Sequence, residues 1–156
     1  MNYVSVNIMI TNTLIRPSNN WMAGEAKHPS PFKITIFHCT NVLNDIRFSE
    51  SEDYEIKSIP LPCSSMTREV TLLKAFESDA DAVLVLVCPV TTCHYLEGNI
   101  RANKRVNRVK KLLDDIGLDS RRLNLYNIPH GDQSRADQII IKTLVDLKTL
   151  GPNPAA

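Results

Sequence analysis

Four cysteines are the residues of this sequence with the greatest capacity for chemistry: Cys39, Cys63, Cys88 and Cys93. The first three each end a β-rich run, in KITIFHC, YEIKSIPLPC and VLVLVC. Four residues separate Cys88 from Cys93, which opens a polar, helix-prone segment. Four thiolates are the usual complement of an iron-sulfur cluster, either [2Fe-2S] or [4Fe-4S], and equally of a structural zinc ion. The ligand number therefore predicts a metal centre without choosing the metal.

The spacing and surroundings of the cysteines give only weak evidence for choosing between an iron-sulfur cluster and a structural zinc ion. A C-x4-C pair is wider than the C-x2-C knuckle of zinc ribbons, although zinc sites accept it. Cys93 lies near a predicted helix N-terminus, where backbone N–H groups stabilise a thiolate, and this placement suits a redox centre. A Cys88–Cys93 disulfide ranks last because redox disulfides use C-x-x-C. A single cysteine at a strand end is commonly a small buried hydrophobe, but four in matching positions favour a shared role.

Composition bounds the class of protein. The chain has 156 residues, of which 43% are hydrophobic, and a formal net charge of +1, so we expect one globular domain with a core of ordinary size. Near-zero charge gives no general attraction to nucleic acid, and no apolar run is long enough to span a bilayer. The N-terminus lacks a secretory pattern, so a cytoplasmic location is expected, and there thiols stay reduced.

The hydrophobic pattern alternates between strands and helices. Strands are predicted at 33–39, 54–63, 79–88 and 122–128, with prolines ending the second near Ile59, and helices at 67–78, 96–116 and 134–149. Ser134, three residues before Asp137, predicts a capping box on the last helix. This alternation predicts an α/β fold, a small doubly wound and mostly parallel four-stranded sheet with helices on both faces and strand order 2-1-3-4. All four thiols then meet where the strands end.

The apolar residues that should bury each helix recur at helical spacing. They are Val70, Leu73, Ala75 and Phe76 in the first helix; Ala102, Val106, Val109, Leu113 and Ile116 in the second; and Ala136, Ile140, Leu144 and Leu147 in the third. Gly117 supplies the stop signal of the second helix.

The chain divides into three predicted parts. Residues 1–31 are polar and proline-broken and are expected to form a mobile arm, and 1–21 are expected to lie upstream of a true start at Met22. Residues 32–150 form the domain that carries the cysteines, and 151–156 are expected to fray.

The second helix also carries a basic stripe at three- and four-residue steps: Arg101, Lys104, Arg105, Arg108 and Lys111. A solvated helix face is the plainer interpretation of such a stripe. Docking of an acidic partner protein is the functional one, because a positive surface beside a redox centre steers and orients such a partner.

Several motifs together resemble one family. PCS at 62–64, LLKAFESDADAVLVLVC at 72–88, CHYLEGN at 93–99, KRV and KKLL in the second helix, and GLDSRRL at 117–123 are similar to the delta, iron-sulfur subunit of methyl-viologen-reducing hydrogenase. The resemblance covers roughly residues 33–130.

This likeness implies a non-catalytic electron-transfer subunit of a hetero-oligomeric complex. It implies a [2Fe-2S] cluster held by Cys39, Cys63, Cys88 and Cys93. It also implies electron relay between a hydrogenase, formate dehydrogenase or benzoyl-CoA reductase-type module and a heterodisulfide reductase A-like flavoprotein. A structural docking subunit of such a complex, in which the same four cysteines hold zinc, is the alternative.

The sequence departs from the family pattern at several positions. Val42 stands where the family has a second cysteine after the first strand, Ser65 and Met66 replace a glycine and an arginine, and VCPVTTCHY lacks two glycines, a histidine and an aspartate. We therefore expect a divergent member that serves another redox complex. His38 and His94 adjoin the predicted ligand cysteines, so a cluster with mixed Cys and His ligands is one interpretation. The favoured interpretation is that both histidines are simply hydrogen-bonded or exposed, and they are left out of the ligand set.

Overall fold

The computed structural model describes residues 31–44 and 51–155, and within them the sheet has four strands. The strands are β1 (Phe32–Cys39), β2 (Tyr54–Leu61), β3 (Ala82–Val87) and β4 (Leu123–Asn127). They pair in the order β2-β1-β3-β4, and every pairing is parallel. The predicted fold class and strand order are therefore confirmed.

Three helices cover the two faces of the sheet: α1 (Glu69–Glu77), α2 (Gly98–Asp115) and α3 (Gln133–Leu150). One core joins α1 and α2 to the sheet side chains that include Phe37, Val83 and Val85, and the other joins α3 to the opposite face. All six residues of β3 are buried, which agrees with its uninterrupted apolar sequence and its central position.

Some boundaries and buried positions differ from the sequence predictions. β2 continues through Pro60 to Leu61, because an edge strand tolerates a proline that cannot donate to a neighbour. Val70 and Ile116 are exposed, since α1 buries Leu72, Ala75 and Phe76 instead and Ile116 lies at the C-terminal end of α2. The remaining predicted positions of α2 and α3 contribute to the cores.

The helix termini are set by local hydrogen bonds. The N-terminus of α3 is capped by Asp132, whose side chain accepts from the Arg135 N–H at 2.9 Å, so the predicted cap at Ser134 is two residues too late. Gly117 follows the end of α2 with a φ of 79°, a left-handed conformation that glycine adopts without strain.

The segment after α3 is held in place, which corrects the prediction of a frayed tail for the described residues 151–155. Asn153 is buried and donates through its side-chain amide to the carbonyls of Phe76 and Ala80, while its backbone N–H donates to the Asp81 carboxylate at 2.7 Å. Arg122 is also buried and donates to the carbonyls of Asp81 and of residues 150–152. Buried polar groups require such partners, so the tail is part of the domain.

The predicted arm, apart from Pro31, lies outside the described residues, and so does the proposed start at Met22. Among the helices that the structure describes, none has the length and apolar character needed to cross a bilayer.

Candidate functional site

The four cysteines meet at the edge of the sheet where the parallel strands end, here called the cysteine edge. Cys39 is the last residue of β1, Cys63 follows β2 and begins a short 3-10 turn (Ser64–Met66), and Cys88 follows β3 directly. Cys93 lies in the loop that leads into α2. Cys39, Cys63 and Cys88 are buried and Cys93 is half-buried, and all four are free thiols.

Cys39 and Cys88 form a close sulfur pair. Their Sγ atoms lie 3.7 Å apart in a buried environment at the ends of neighbouring strands. Two thiolates on one tetrahedral metal ion, with metal–sulfur distances of about 2.3 Å, lie roughly 3.8 Å apart. The spacing of this pair therefore suits two ligands of a single metal ion.

Cys63 and Cys93 both lie beside Gly98 at the start of α2. A Cβ atom built on Gly98 would lie 2.6 Å from the Cys63 Sγ and 3.4 Å from the Cys93 Sγ. The first distance is shorter than van der Waals contact, so only a residue without a side chain lets α2 approach these two sulfurs. Gly98 does not have a left-handed φ, so its small size is what the site requires.

Polar side chains fix the backbone around the sulfurs. Asn99 is buried and donates to the carbonyls of Cys88 and Pro89, and Asn127 at the end of β4 also donates to the Cys88 carbonyl. The Cys63 sulfur accepts from the backbone N–H of Ser65 at 3.4 Å and from its hydroxyl at 3.2 Å. These bonds orient the loops that carry Cys63, Cys88 and Cys93.

The thiol pKa values of Cys88 and Cys93, at the two ends of one loop, are shifted in opposite directions. Burial, together with the neighbouring Cys39 thiol, raises the pKa of Cys88 to about 12. Burial also acts to raise the pKa of Cys93, but the backbone N–H groups of Asn99, Tyr95 and Gly98 outweigh it, so this pKa is lowered. The N-terminus of α2 therefore stabilises a thiolate at Cys93, as predicted for a cysteine beside a helix start.

The residues present match the requirements of a metal or cluster in donor chemistry. They offer four sulfur donors, a glycine that lets α2 approach two of them, and a buried hydroxyl at Ser64 that has no hydrogen-bond partner within residues 31–44 and 51–155. Nevertheless, among the described residues no group of three or more His, Cys, Asp and Glu side chains is already arranged as a metal site. The cysteines are thus gathered at one edge of the sheet, where Cys39 and Cys88 form a close sulfur pair, rather than as a closed four-sulfur cage.

The family model for the delta subunit of methyl-viologen-reducing hydrogenase matches residues 34–151. This range contains all four cysteines and nearly all of the described fold. The chain belongs to this delta subunit family.

Relatives of two kinds support this membership. The chain is 29% identical over 99 residues to the vhu iron-sulfur D subunit of the F420-non-reducing hydrogenase of Methanocaldococcus jannaschii, covering 64% of this chain and 74% of that protein. It is 28% identical over 116 residues to the iron-sulfur D subunit of the F420-non-reducing hydrogenase of Archaeoglobus profundus, covering 73% and 85%.

The second kind of relative is a much longer protein. The chain is 34% identical over 97 residues to the A subunit of the ferredoxin:CoB-CoM heterodisulfide reductase of Methanosarcina mazei. The match covers 62% of this chain but spans only 12% of that relative. A delta-subunit-like domain thus occurs both as a separate protein and within a longer chain.

One departure from the delta subunit pattern lies inside the core. Val42, at the position of the family's additional cysteine, is fully buried and belongs to the core on the α3 side of the sheet. Its N–H donates to the Cys39 carbonyl, and its own carbonyl accepts from Gly131. In this chain the position therefore serves packing.

The histidines next to the cysteines differ in their surroundings. His38 is buried, and burial lowers its pKa, which favours the neutral ring. His94 is exposed, and its ring packs edge-on against Tyr95. Their exclusion from the ligand set stays a prediction.

The basic stripe of α2 is partly engaged within the chain. Arg105 is half-buried and donates to the carbonyls of Ser65 and Thr67, which anchors the turn that follows Cys63 to α2. Arg101 pairs with Glu97, and Arg108 pairs with Glu69. Lys104 and Lys111 are exposed. Arg105 thus has a structural role that the stripe pattern does not indicate.

Four functional positions were not predicted from the sequence: Ser64, Gly98, Asn99 and Arg105 in its anchoring role. The first three lie in PCS and CHYLEGN, the motifs that carry the family resemblance. These motifs marked the three residues as belonging to the family pattern. The spacing of residues in the sequence does not predict which atoms each of them contacts.

Proposed function

We propose that this chain is a non-catalytic electron-transfer subunit that binds a [2Fe-2S] cluster through Cys39, Cys63, Cys88 and Cys93. The observation that carries the proposal is the gathering of four thiols at one sheet edge, with the 3.7 Å Cys39–Cys88 spacing of two ligands on one metal ion. A [2Fe-2S] cluster has two irons with two cysteine ligands each, so it requires four thiolates, and Cys39 and Cys88 have the spacing of the two on one iron. When bound, it would accept and release one electron.

The chain's own residues would hold and tune this group. Asn99 and Asn127 fix the backbone at Cys88, Ser65 donates to the Cys63 sulfur, and the start of α2 favours thiolate at Cys93. Hydrogen bonds to the sulfurs and burial are the main means by which a protein sets a cluster's potential. The core behind β1 and β3 closes the inner side of the site, while half-buried Cys93 lies toward solvent.

The proposed partners follow from family membership and from the names of the relatives. We propose that the protein works in the cytoplasm, in a hetero-oligomeric complex. It would relay electrons between a heterodisulfide reductase A-like flavoprotein and a hydrogenase, formate dehydrogenase or benzoyl-CoA reductase-type module. The occurrence of a similar domain inside the A subunit of a heterodisulfide reductase supports the flavoprotein end of this relay.

The experiment is metal and sulfide analysis of anaerobically purified protein, combined with EPR of the dithionite-reduced sample. About two irons and two sulfides per chain, with a rhombic S = 1/2 signal, are expected. Stoichiometric zinc without iron after cluster reconstitution would replace this proposal with the alternative of a structural zinc site on the four cysteines, which the spacing of Cys39 and Cys88 also fits.

The ligand set is tested by substitution in the same preparation. Cys88→Ala should abolish cluster retention, because the Cys88 sulfur lies at the distance from the Cys39 sulfur that two ligands of one metal ion have. Thr92→Ala, in the same loop and exposed, is the matched control and should keep wild-type iron content. Full iron and visible absorbance in Cys88→Ala would remove that residue from the ligand set.

A further inference from the structure

A buried hydroxyl without a partner among the described residues lies near Cys63 and Cys93. Ser64 is 1% exposed, and its Oγ has no hydrogen-bond partner among the described residues. A buried polar group that stays unpaired loses its hydrogen bonds to water without replacement, so native proteins rarely retain one without a use. This hydroxyl therefore requires a specific explanation.

The surroundings of the Ser64 hydroxyl indicate where it acts. A Cβ atom built on Gly98 would lie 3.6 Å from the Ser64 Oγ, 2.6 Å from the Cys63 Sγ and 3.4 Å from the Cys93 Sγ. One hydroxyl and two sulfurs thus crowd the same face of the first residue of α2. The neighbouring Ser65 hydroxyl donates to the Cys63 sulfur, whereas the Ser64 hydroxyl makes no hydrogen bond to any described residue.

We propose that the Ser64 hydroxyl is a dedicated hydrogen-bond donor to a sulfur atom of the bound cluster, and that Gly98 is the positioning residue that leaves room for this contact. The inference rests on the proposed function, since it assigns a role toward the same cluster. A hydroxyl has one donor and a cluster sulfur is an acceptor, so binding would satisfy the group that is unpaired in the protein alone. A hydrogen bond to sulfur stabilises the more negative, reduced state of a cluster. Ser64 therefore raises the reduction potential and is not itself a ligand.

The test compares reduction potentials of the full chain with its cluster, obtained by EPR-monitored redox titration. Ser64→Ala should retain two irons per chain and shift the potential to a more negative value. Ser64→Thr keeps a hydroxyl and should restore most of the shift. Thr143→Val is the matched control, because it removes a buried hydroxyl that bonds within α3 to the Ile139 carbonyl, and it should leave the potential unchanged.

A spectroscopic measurement separates a hydrogen bond from a general packing effect. Resonance Raman bands of the iron–sulfur stretches should shift on exchange into D2O in the wild-type protein, and Ser64→Ala should reduce that shift. A merely structural role for Ser64 would leave the deuterium shift unchanged.

The possible outcomes distinguish the inference from the function on which it rests. Ser64→Ala with full cluster, the wild-type potential and an unchanged deuterium shift would overturn the inference and leave the proposed function standing. Loss of the cluster in Ser64→Ala together with its retention in Ser64→Thr would support the hydroxyl as the group that matters, and loss in both would overturn the donor role. Wild-type protein that holds no iron and sulfide would overturn both proposals.

Discussion

Cys88 and Cys93 are five positions apart in the chain, yet the structure gives their thiols opposite reactivity. Only the thiolate form of cysteine is strongly nucleophilic, so exposure and pKa together set the rate of alkylation. Cys93 has a lowered pKa and is partly exposed, while Cys88 is buried with a pKa raised to about 12.

In metal-free protein we therefore expect iodoacetamide to modify Cys93 first. The rate should rise with pH through a midpoint below the ordinary thiol value of 9.0, because the thiolate population grows as the pH approaches this lowered pKa. Cys88 should stay unmodified up to pH 8. Peptide mass spectrometry over a pH series measures both rates, and Cys93→Ser should remove the fast phase. Equal labelling of Cys88 and Cys93 would contradict the assignment.

The close approach of Gly98 to the Cys63 sulfur predicts the effect of adding a side chain at this position. Alanine normally stabilises a helix by up to about 1 kcal/mol relative to glycine. At position 98 its Cβ would overlap the Cys63 sulfur, and overpacking of this kind costs typically about 1–3 kcal/mol. We expect Gly98→Ala to lower the midpoint of urea unfolding and to reduce iron content.

The control for Gly98→Ala is Asn103→Ala, an exposed position farther along α2. It should leave both unfolding and iron content close to wild type. A Gly98→Ala variant with unchanged iron would show that the Cys63 sulfur can move aside without loss of ligation.

The gathering of the cysteines was predictable, but their immediate surroundings were not. Each of Cys39, Cys63 and Cys88 ends or follows a strand, so the rule for parallel sheets places them at one edge. The Ser64 and Gly98 contacts depend on the path of the turn after β2 and on how closely α2 approaches it. Hydrophobic periodicity does not specify those distances, so such residues are found only from coordinates.

Among the elements, the parallel sheet was predictable from the alternation of strands and helices and from the wholly apolar third strand. The order 2-1-3-4 was one choice among the arrangements that right-handed crossovers allow. The misassigned positions are ones where tertiary context decided. Val70 matches the helical repeat of α1, but the orientation of that short helix buries Leu72 and leaves Val70 exposed. The tail contains no apolar signal, and its attachment comes from polar contacts of Arg122 and Asn153.

Arg122 allows a stability prediction for this attachment. It is buried and donates to the carbonyls of Asp81, Leu150, Gly151 and Pro152, so it joins β3 to the C-terminal end of α3. Arg122→Met removes these bonds from the buried Asp81 carbonyl and from three partly buried carbonyls, for which we expect a loss of roughly 3 kcal/mol in the free energy of unfolding.

Urea denaturation followed by circular dichroism measures this loss. Arg121→Met is the matched control, because Arg121 is exposed and, within the described residues, forms a surface ion pair with Asp119. It should have little effect. Equal stability of the Arg121 and Arg122 variants would contradict the attachment of the tail.

At the scale of the whole molecule, α2 connects the cysteine edge to a charged surface. Three of the five stripe residues are engaged with neighbouring groups, which leaves Lys104 and Lys111 as the exposed positions best suited to meeting an acidic partner. Charges at the rim of an interface act mainly on the association rate, and salt screens them.

We therefore expect the double variant Lys104→Glu/Lys111→Glu to slow electron exchange with a purified heterodisulfide reductase A-type flavoprotein roughly tenfold at low ionic strength. The difference should shrink at high salt. Stopped-flow absorbance measures the rate, and Lys142→Glu, exposed on α3 across the sheet, is the control. An unchanged electron-exchange rate in the double variant would contradict the docking role and would indicate that the basic stripe is a solvated helix face.

The attachment of residues 151–153 also fixes where the described chain ends. Asp81 and Arg122 precede β3 and β4, so this segment lies at the edge of the sheet opposite the cysteines. A six-residue strand such as β3 spans about 20 Å, which separates the two edges. An affinity handle or electrode linker joined at the C-terminus would therefore hold every molecule with its sulfur side turned away from the support. Wiring the protein directly to a conductor would instead require attachment near the Cys88–Cys93 loop.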